Sequence, residues 1–235
     1  MTSLALYGVR GGLGRSSLLA ALGYALSELG ERVLLVDLCS DNLLRLHFNL
    51  PLDERGGWAR AELEGRPFGE PLYEVLDGLC LMPFGELDEA ERARLWQRLA
   101  PGSWRTRLAP LARRFDWLLF DQPAAGLAAG PEVDVPVLVV EADGACQVLL
   151  GRQALERHDL LLINRYEPAS RLQRDLLLVW QRLFGERLAL QLVHRDEALA
   201  EALACKAPVG HYAPHSLAAR DVQSLAVRCL TRRRG

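Results

Sequence analysis

Short, nearly continuous apolar runs recur along the chain and alternate with longer stretches whose apolar residues return at helical spacing. The runs at 4–7, 32–36, 79–82, 117–120, 137–140, 160–163 and 188–193 predict strands. Few of them alternate strictly between apolar and polar, so both faces of the resulting sheet are expected to be buried. The stretches 16–29, 88–114, 171–184, 196–204 and 216–230 predict helices, with Pro101-Gly102 breaking the second. Strand and helix in alternation predict an α/β fold, a doubly wound and mostly parallel sheet with helices on both faces.

The turn between the first strand and the first helix changes the picture most. It reads Gly8-Val9-Arg10-Gly11-Gly12-Leu13-Gly14-Arg15-Ser16-Ser17, the outline of a P-loop in which arginine stands at both positions where lysine is usual. In such a loop the glycines let successive amides turn toward phosphate, and the helix that follows points its free N–H groups and positive dipole end the same way. A Ser/Thr hydroxyl, here Ser16, holds Mg²⁺. Two later strands end in acid, at Val36-Asp37 and Phe120-Asp121-Gln122-Pro123. Asp37 and Asp121 are therefore candidate Mg²⁺ or water ligands.

Composition narrows the class. The chain has 235 residues, half of them hydrophobic and a quarter charged, with a formal net charge of −2. That length suits one large α/β domain, and the balance gives no electrostatic case for nucleic acid. Lys206 is the only lysine among 28 basic residues, so the use of arginine reflects a bias of the whole chain as well as of the site. The five cysteines (Cys39, Cys80, Cys146, Cys205 and Cys229) form no CxxC pair and are expected as free thiols in a reducing compartment. Neither a signal core nor a long uncharged apolar run is present, and a cytoplasmic location is expected.

The loop pattern, the strand ending in Asp37 and the sequence Asp121-Gln122-Pro123 together resemble the deviant Walker A ATPases of the MinD/ParA group, which are P-loop NTPases of the SIMIBI class. The resemblance implies ATP and Mg²⁺ as cofactors. It implies contacts to nucleotide from Arg10, Gly11, Gly12, Leu13, Gly14, Arg15, Ser16 and Ser17, and adenine recognition by Asn164-Arg165 and Pro208-Val209. It also implies that Arg10 crosses a sandwich homodimer to the partner's nucleotide. Further segments resemble more narrowly the BcsQ family, the MinD-like proteins of bacterial cellulose-secretion operons: Asp41-Asn42-Leu43-Leu44-Arg45-Leu46, Gly57-Trp58-Ala59-Arg60-Ala61, His194-Arg195-Asp196-Glu197-Ala198 and the stretch from Lys206 to Tyr212. That resemblance implies a regulatory subunit recruited to the inner-membrane cellulose synthase. Its implied partners are a small BcsR-like polypeptide, a BcsE-like cyclic-di-GMP-binding protein and the synthase, with membrane contact indirect.

One departure bears on catalysis. The water-activating Asp of the MinD/ParA group falls two residues after Asp37, where this chain has Cys39, and a thiol cannot orient water as a carboxylate does. Losing such a group typically costs about 10²-fold or more in rate, so ATP binding with slow or absent hydrolysis is expected. An active positioning or partition ATPase using Asp41 instead, and a nucleotide-free scaffold, remain alternatives. The cluster Glu86, Asp88, Glu89 and Glu91 reads as a solvated helix face beside Arg92 and Arg94, and His194, His211 and His215 as surface or loop histidines. Trp58, Trp96, Trp104, Trp117 and Trp180 read as core more than as a binding platform, with Trp58, in a stretch with no regular pattern, the one to test as a partner contact.

Overall fold

The computed structural model describes residues 1–51, 53–99, 102–123, 130–152 and 160–234, with the last three given by backbone alone. Its centre is a seven-stranded sheet built from β1 (Thr2–Gly8), β2 (Val33–Asp37), β3 (Tyr73–Leu76), β4 (Leu79–Met82), β5 (Trp117–Asp121), β6 (Val135–Glu141) and β7 (Leu160–Asn164), in the order β3-β4-β2-β5-β1-β6-β7. All neighbours are parallel except β3 and β4. Six of the predicted strands are present.

Continuous apolar runs give strands buried on both sides. Val33 and Leu35 join a cluster with α1 (Arg15–Glu28) and α9 (Leu217–Arg234), while Leu34 and Val36 face the opposite cluster with α2 (Trp58–Leu63), α3 (Glu89–Arg98) and α4 (Ser103–Leu108). The remaining helices are α5 (Gly144–Leu150), α6 (Arg171–Phe184), α7 (Ala198–Ala204) and α8 (Val209–Tyr212). The α1 helix is apolar almost all round and seats very close to the sheet: a Cβ at Gly23 would lie 2.7 Å from Leu35 Cδ2. This packing fixes where the helix begins, and with it the loop that precedes it.

Three expectations change. Residues 188–193 form no strand: Leu188 makes a lone parallel bridge to Leu161, and Leu190 is 81% exposed. The stretch touches the β7 edge only intermittently, Ala189 donating to the Leu161 carbonyl at 2.8 Å and Val193 to the Ile163 carbonyl at 3.0 Å with Leu190 turned outward between them, while the His194 amide donates to the Asp221 carboxylate at 2.9 Å. The antiparallel β3 was not expected, although Asp77-Gly78 between β3 and β4 is a strong two-residue hairpin signal. Trp58 is no surface anchor. It is wholly buried among Phe68, Phe84, Trp96 and Trp104, and its indole N–H donates to the Asp37 carbonyl at 2.6 Å.

The helical break falls as expected, α3 ending at Arg98 and α4 starting after Gly102, whose φ is 78°; Pro101 lies outside the described residues. Asp88 and Glu91 form a capping box on α3, Glu91 also pairs with Arg60 at 2.9 Å, and Glu86 pairs with Arg45 and Arg55, which accounts for three of the four acids of that cluster. His194 is more than a surface residue, since its Nδ1 lies 2.8 Å from the buried Asp221. No helix among the described residues is long and apolar enough to cross a membrane.

Candidate functional site

Strand register assembles the site. Asp37 and Asp121 are lateral partners at the ends of β2 and β5, Gly8 pairs with Val139, and Glu141 pairs with Asn164 at the ends of β6 and β7. The carboxyl ends of these strands therefore surround the loop that leaves β1, the position at which open α/β sheets place their ligands.

The loop is held by its apolar and amide contacts. Leu13 is buried, and its carbonyl accepts from Asn164 Nδ2 at 2.7 Å; the Gly12 carbonyl accepts from Arg165 Nη1 at 2.8 Å. Gly14 then turns at φ 75° to start α1, where a Cβ would sit 2.8 Å from Asn164 Nδ2. Only glycine meets both conditions. No side chain caps α1 and no acid lies in its first turn, so its leading amides and dipole are left for an anion. Gly11 and Gly12 are exposed, while Arg15, Ser16 and Ser17 are half-buried.

Behind the loop lies a buried charged group. Arg15 Nε donates to Asp121 Oδ1 at 2.8 Å and Nη2 donates to Cys39 Sγ at 3.2 Å, while the Ser16 hydroxyl donates to Asp121 Oδ2. Asp37 accepts the amides of Cys39 at 2.9 Å and Leu44 at 3.3 Å. Burial, and then the neighbouring Asp121, push the Asp37 carboxyl well above the usual range despite those amides. Burial likewise raises Asp121, more than Arg15 and Ser16 lower it. Both acids thus call for more positive charge than Arg15 alone supplies.

Mg²⁺ fits this demand. The Ser16 hydroxyl and the two carboxylates are hard oxygen donors, and among the described residues Asp37, Cys39 and Asp121 are the one group of such side chains close enough to share an ion, their ligand atoms lying within 4.8 Å of one another. Cys39 is buried, and desolvation followed by Asp121 and Asp37 drives its thiol far up, so it stays protonated and offers no charge.

A purine nucleotide also fits. Asn164 is 1% exposed, yet its Oδ1 meets no donor among the described residues, an unmet acceptor of the kind a ligand amino group satisfies. Arg165, at φ 54°, carries its guanidinium alongside the same spot. Pro208 and Val209 begin α8, where Gly210 lies against the Tyr24 ring well along α1, so they pack on the helix that carries the loop.

Arg10 points to its own chain. Its Nη2 donates to Glu141 Oε2 at 3.1 Å and Asp143 Oδ2 at 2.8 Å. Burial acts to raise the Asp143 carboxyl, but the Cys146 amide and Arg10 outweigh it and hold the acid below the usual range. Neither acid is among the site residues expected from the sequence. Glu141 ends a strand just as Asp37 and Asp121 do, and Asp143 precedes an apolar helical turn as an N-cap, so each carried a signal. An apolar cavity of about 760 Å³ opens at the other end of the sheet, lined by Thr2, Val135, Leu160 and Leu190, away from all these groups.

Comparison with known proteins agrees with this geometry. In solved structures, the septum site-determining protein MinD complexed with Mg-ADP from Pyrococcus horikoshii matches with a TM-score of 0.74 at 21% identity, over 96% of this chain and 94% of that one. Cobyrinic acid a,c-diamide synthase from Mycobacterium smegmatis, with bound ATP analog and magnesium, matches with a TM-score of 0.75 at 21% identity, over 98% and 94%. These likenesses show the MinD/ParA-type P-loop NTPase fold. The cellulose biosynthesis protein BcsQ of Escherichia coli K12 is 38% identical over 243 residues, covering 98% of this chain and 94% of its own length. With the family model for cellulose biosynthesis protein BcsQ matching residues 1–230 as well, the chain belongs to the BcsQ family.

Proposed function

We propose that this chain binds ATP with Mg²⁺, closes into a nucleotide-sandwiched homodimer, and hydrolyses ATP slowly or not at all. The observation that carries this reading is Cys39. A buried, protonated thiol stands beside Asp37 and Asp121 where the MinD/ParA group keeps its water-activating carboxylate, while the phosphate cradle and the oxygen ligands remain intact.

Residues divide the work accordingly. The amides from Gly11 to Ser17 hold the phosphates, with Ser16, Asp37 and Asp121 on the metal side. Asn164 Oδ1 accepts from the adenine amino group, and Arg165 lies against the base. Mg²⁺, when bound, neutralises phosphate charge and relieves the two buried carboxylates. Arg15 turns from Asp121 toward phosphate, its planar fork suited to pairing with oxyanions. Arg10 reaches the partner subunit's nucleotide.

In the cell, such a nucleotide-stabilised dimer serves as a regulatory subunit on the cytosolic face of the cellulose synthase complex, with a BcsR-like small polypeptide, a BcsE-like cyclic-di-GMP-binding protein and, through them, the synthase as partners. Family membership in cellulose biosynthesis supports this assignment. Purified protein with ATP·Mg²⁺ is expected to sediment as a dimer and to release labelled phosphate far below about 1 s⁻¹. Turnover at that rate or faster, or a monomer at saturating ATP, refutes the reading.

A further inference from the structure

Arg10 is the residue required to leave its own subunit, and it is tied down. Besides the two carboxylates, its Nη1 donates to the Gly11 carbonyl at 3.2 Å. Neither acid owes its position to Arg10. Glu141 is the last residue of β6, and Asp143 is the N-cap of α5, with its Oδ1 accepting the Cys146 amide at 2.7 Å. Both carboxylates are thus presented by the backbone. The side chains are partly shielded, with 32% of Arg10, 22% of Glu141 and 31% of Asp143 exposed. Arg10 is not fully satisfied there either, because its buried Nε meets no acceptor among the described residues.

We propose that Glu141 and Asp143 form a latch that holds Arg10 on its own subunit, and that this latch must open before a second copy of the chain can be engaged. The inference rests on the reading of Arg10 as a bridge to the partner's nucleotide. Arg165 lies 3.8 Å from the same Glu141 oxygen, so that acid keeps a cation when Arg10 departs. Asp143 keeps its capping bond. The latch can therefore open without leaving a bare buried charge, which makes it a bias on assembly and not a block.

Partly exposed ion pairs shift an equilibrium by up to about fivefold each. Neutralising one of the two acids removes one such pair in each of two subunits and is expected to tighten the dimer by up to about twenty-fivefold, with the double variant tighter still. Glu141→Gln and Asp143→Asn, alone and together, remove the charge while keeping size and, for Asn, the helix cap. Their dimer dissociation constants are measured by sedimentation at saturating ATP·Mg²⁺ beside wild type, Arg10→Ala and the triple variant. Tightening in the Arg10 background, with no tightening once Arg10 is alanine, supports the latch. Unchanged or weaker dimers from both neutralised variants, with wild type dimeric, overturn the latch alone. Wild type that binds ATP and stays monomeric overturns the dimer reading, and the latch with it.

Discussion

Cys39→Asp is the natural attempt to restore hydrolysis, since it returns a carboxylate to the place where the MinD/ParA group carries one. The structure predicts that it first destabilises the nucleotide-free protein. Cys39 is 7% exposed, and its sulfur shares a 4.8 Å cluster with the carboxylates of Asp37 and Asp121, both already raised by burial. At an effective dielectric constant of about 20, each new carboxylate pair costs ~3.5 kcal/mol at that separation, so two cost ~7, while Arg15 at 3.2 Å returns ~5. Desolvation adds several more. The new carboxyl escapes by staying protonated, which limits the loss: keeping an ordinary aspartate neutral at pH 7 costs about 4 kcal/mol. A folded-state pKa raised in this way leaves stability intact below the unfolded value near 4 and erodes it as pH rises. Urea unfolding without nucleotide should therefore place the variant about 3 to 4 kcal/mol below wild type at pH 7, and only ~1.5 below at pH 5. Equal stabilities at pH 7 would refute the reasoning, because Arg15 would then be absorbing a third buried charge.

Three further substitutions probe the same architecture. Gly14→Ala combines a left-handed backbone, at about 1 to 2 kcal/mol, with displacement of Asn164 from the Leu13 carbonyl, at about 1 to 3; denaturation and ATP titration should both show the loss, and a wild-type melting profile contradicts the packing described. Trp58→Ala should cost about 3 to 5 kcal/mol, whereas wild-type stability with weakened partner binding would reinstate Trp58 as a contact residue. Burial lowers the His47 imidazole to about 4, so its contribution is present above pH 6.5 and is lost as pH falls toward 4, up to about 3 kcal/mol in all. His47→Gln should flatten that acid limb of the stability curve, and superimposable curves argue against it.

Much of this was legible in the sequence because the signals were local. The loop residues, the acids closing β2 and β5, and six of seven strands follow from runs, turns and strand ends that need no tertiary context. What escaped depended on partners distant in the chain. The apolar stretch 188–193 looks like a strand, but it meets β7 only at separate points, with Leu190 turned outward between them. Trp58 looks irregular until Phe84, Trp96 and Trp104 enclose it. Arg10 gives no sign of its acids, which lie 131 and 133 residues away. The Asp77-Gly78 hairpin is a different case, a local signal that lies wholly within the sequence.

The ends of the sheet have a bearing on assembly. One margin is closed by β3, a strand of only four residues running against its neighbour, with Glu74 exposed along it. The other is taken up intermittently, where Ala189 and Val193 donate to Leu161 and Ile163 carbonyls at 2.8 and 3.0 Å and Leu190 juts outward between them. Neither margin offers a clean row of backbone groups to another strand. Copies of this chain cannot easily add side by side through these margins into a continuous ribbon. Open-ended growth by strand pairing is thereby disfavoured.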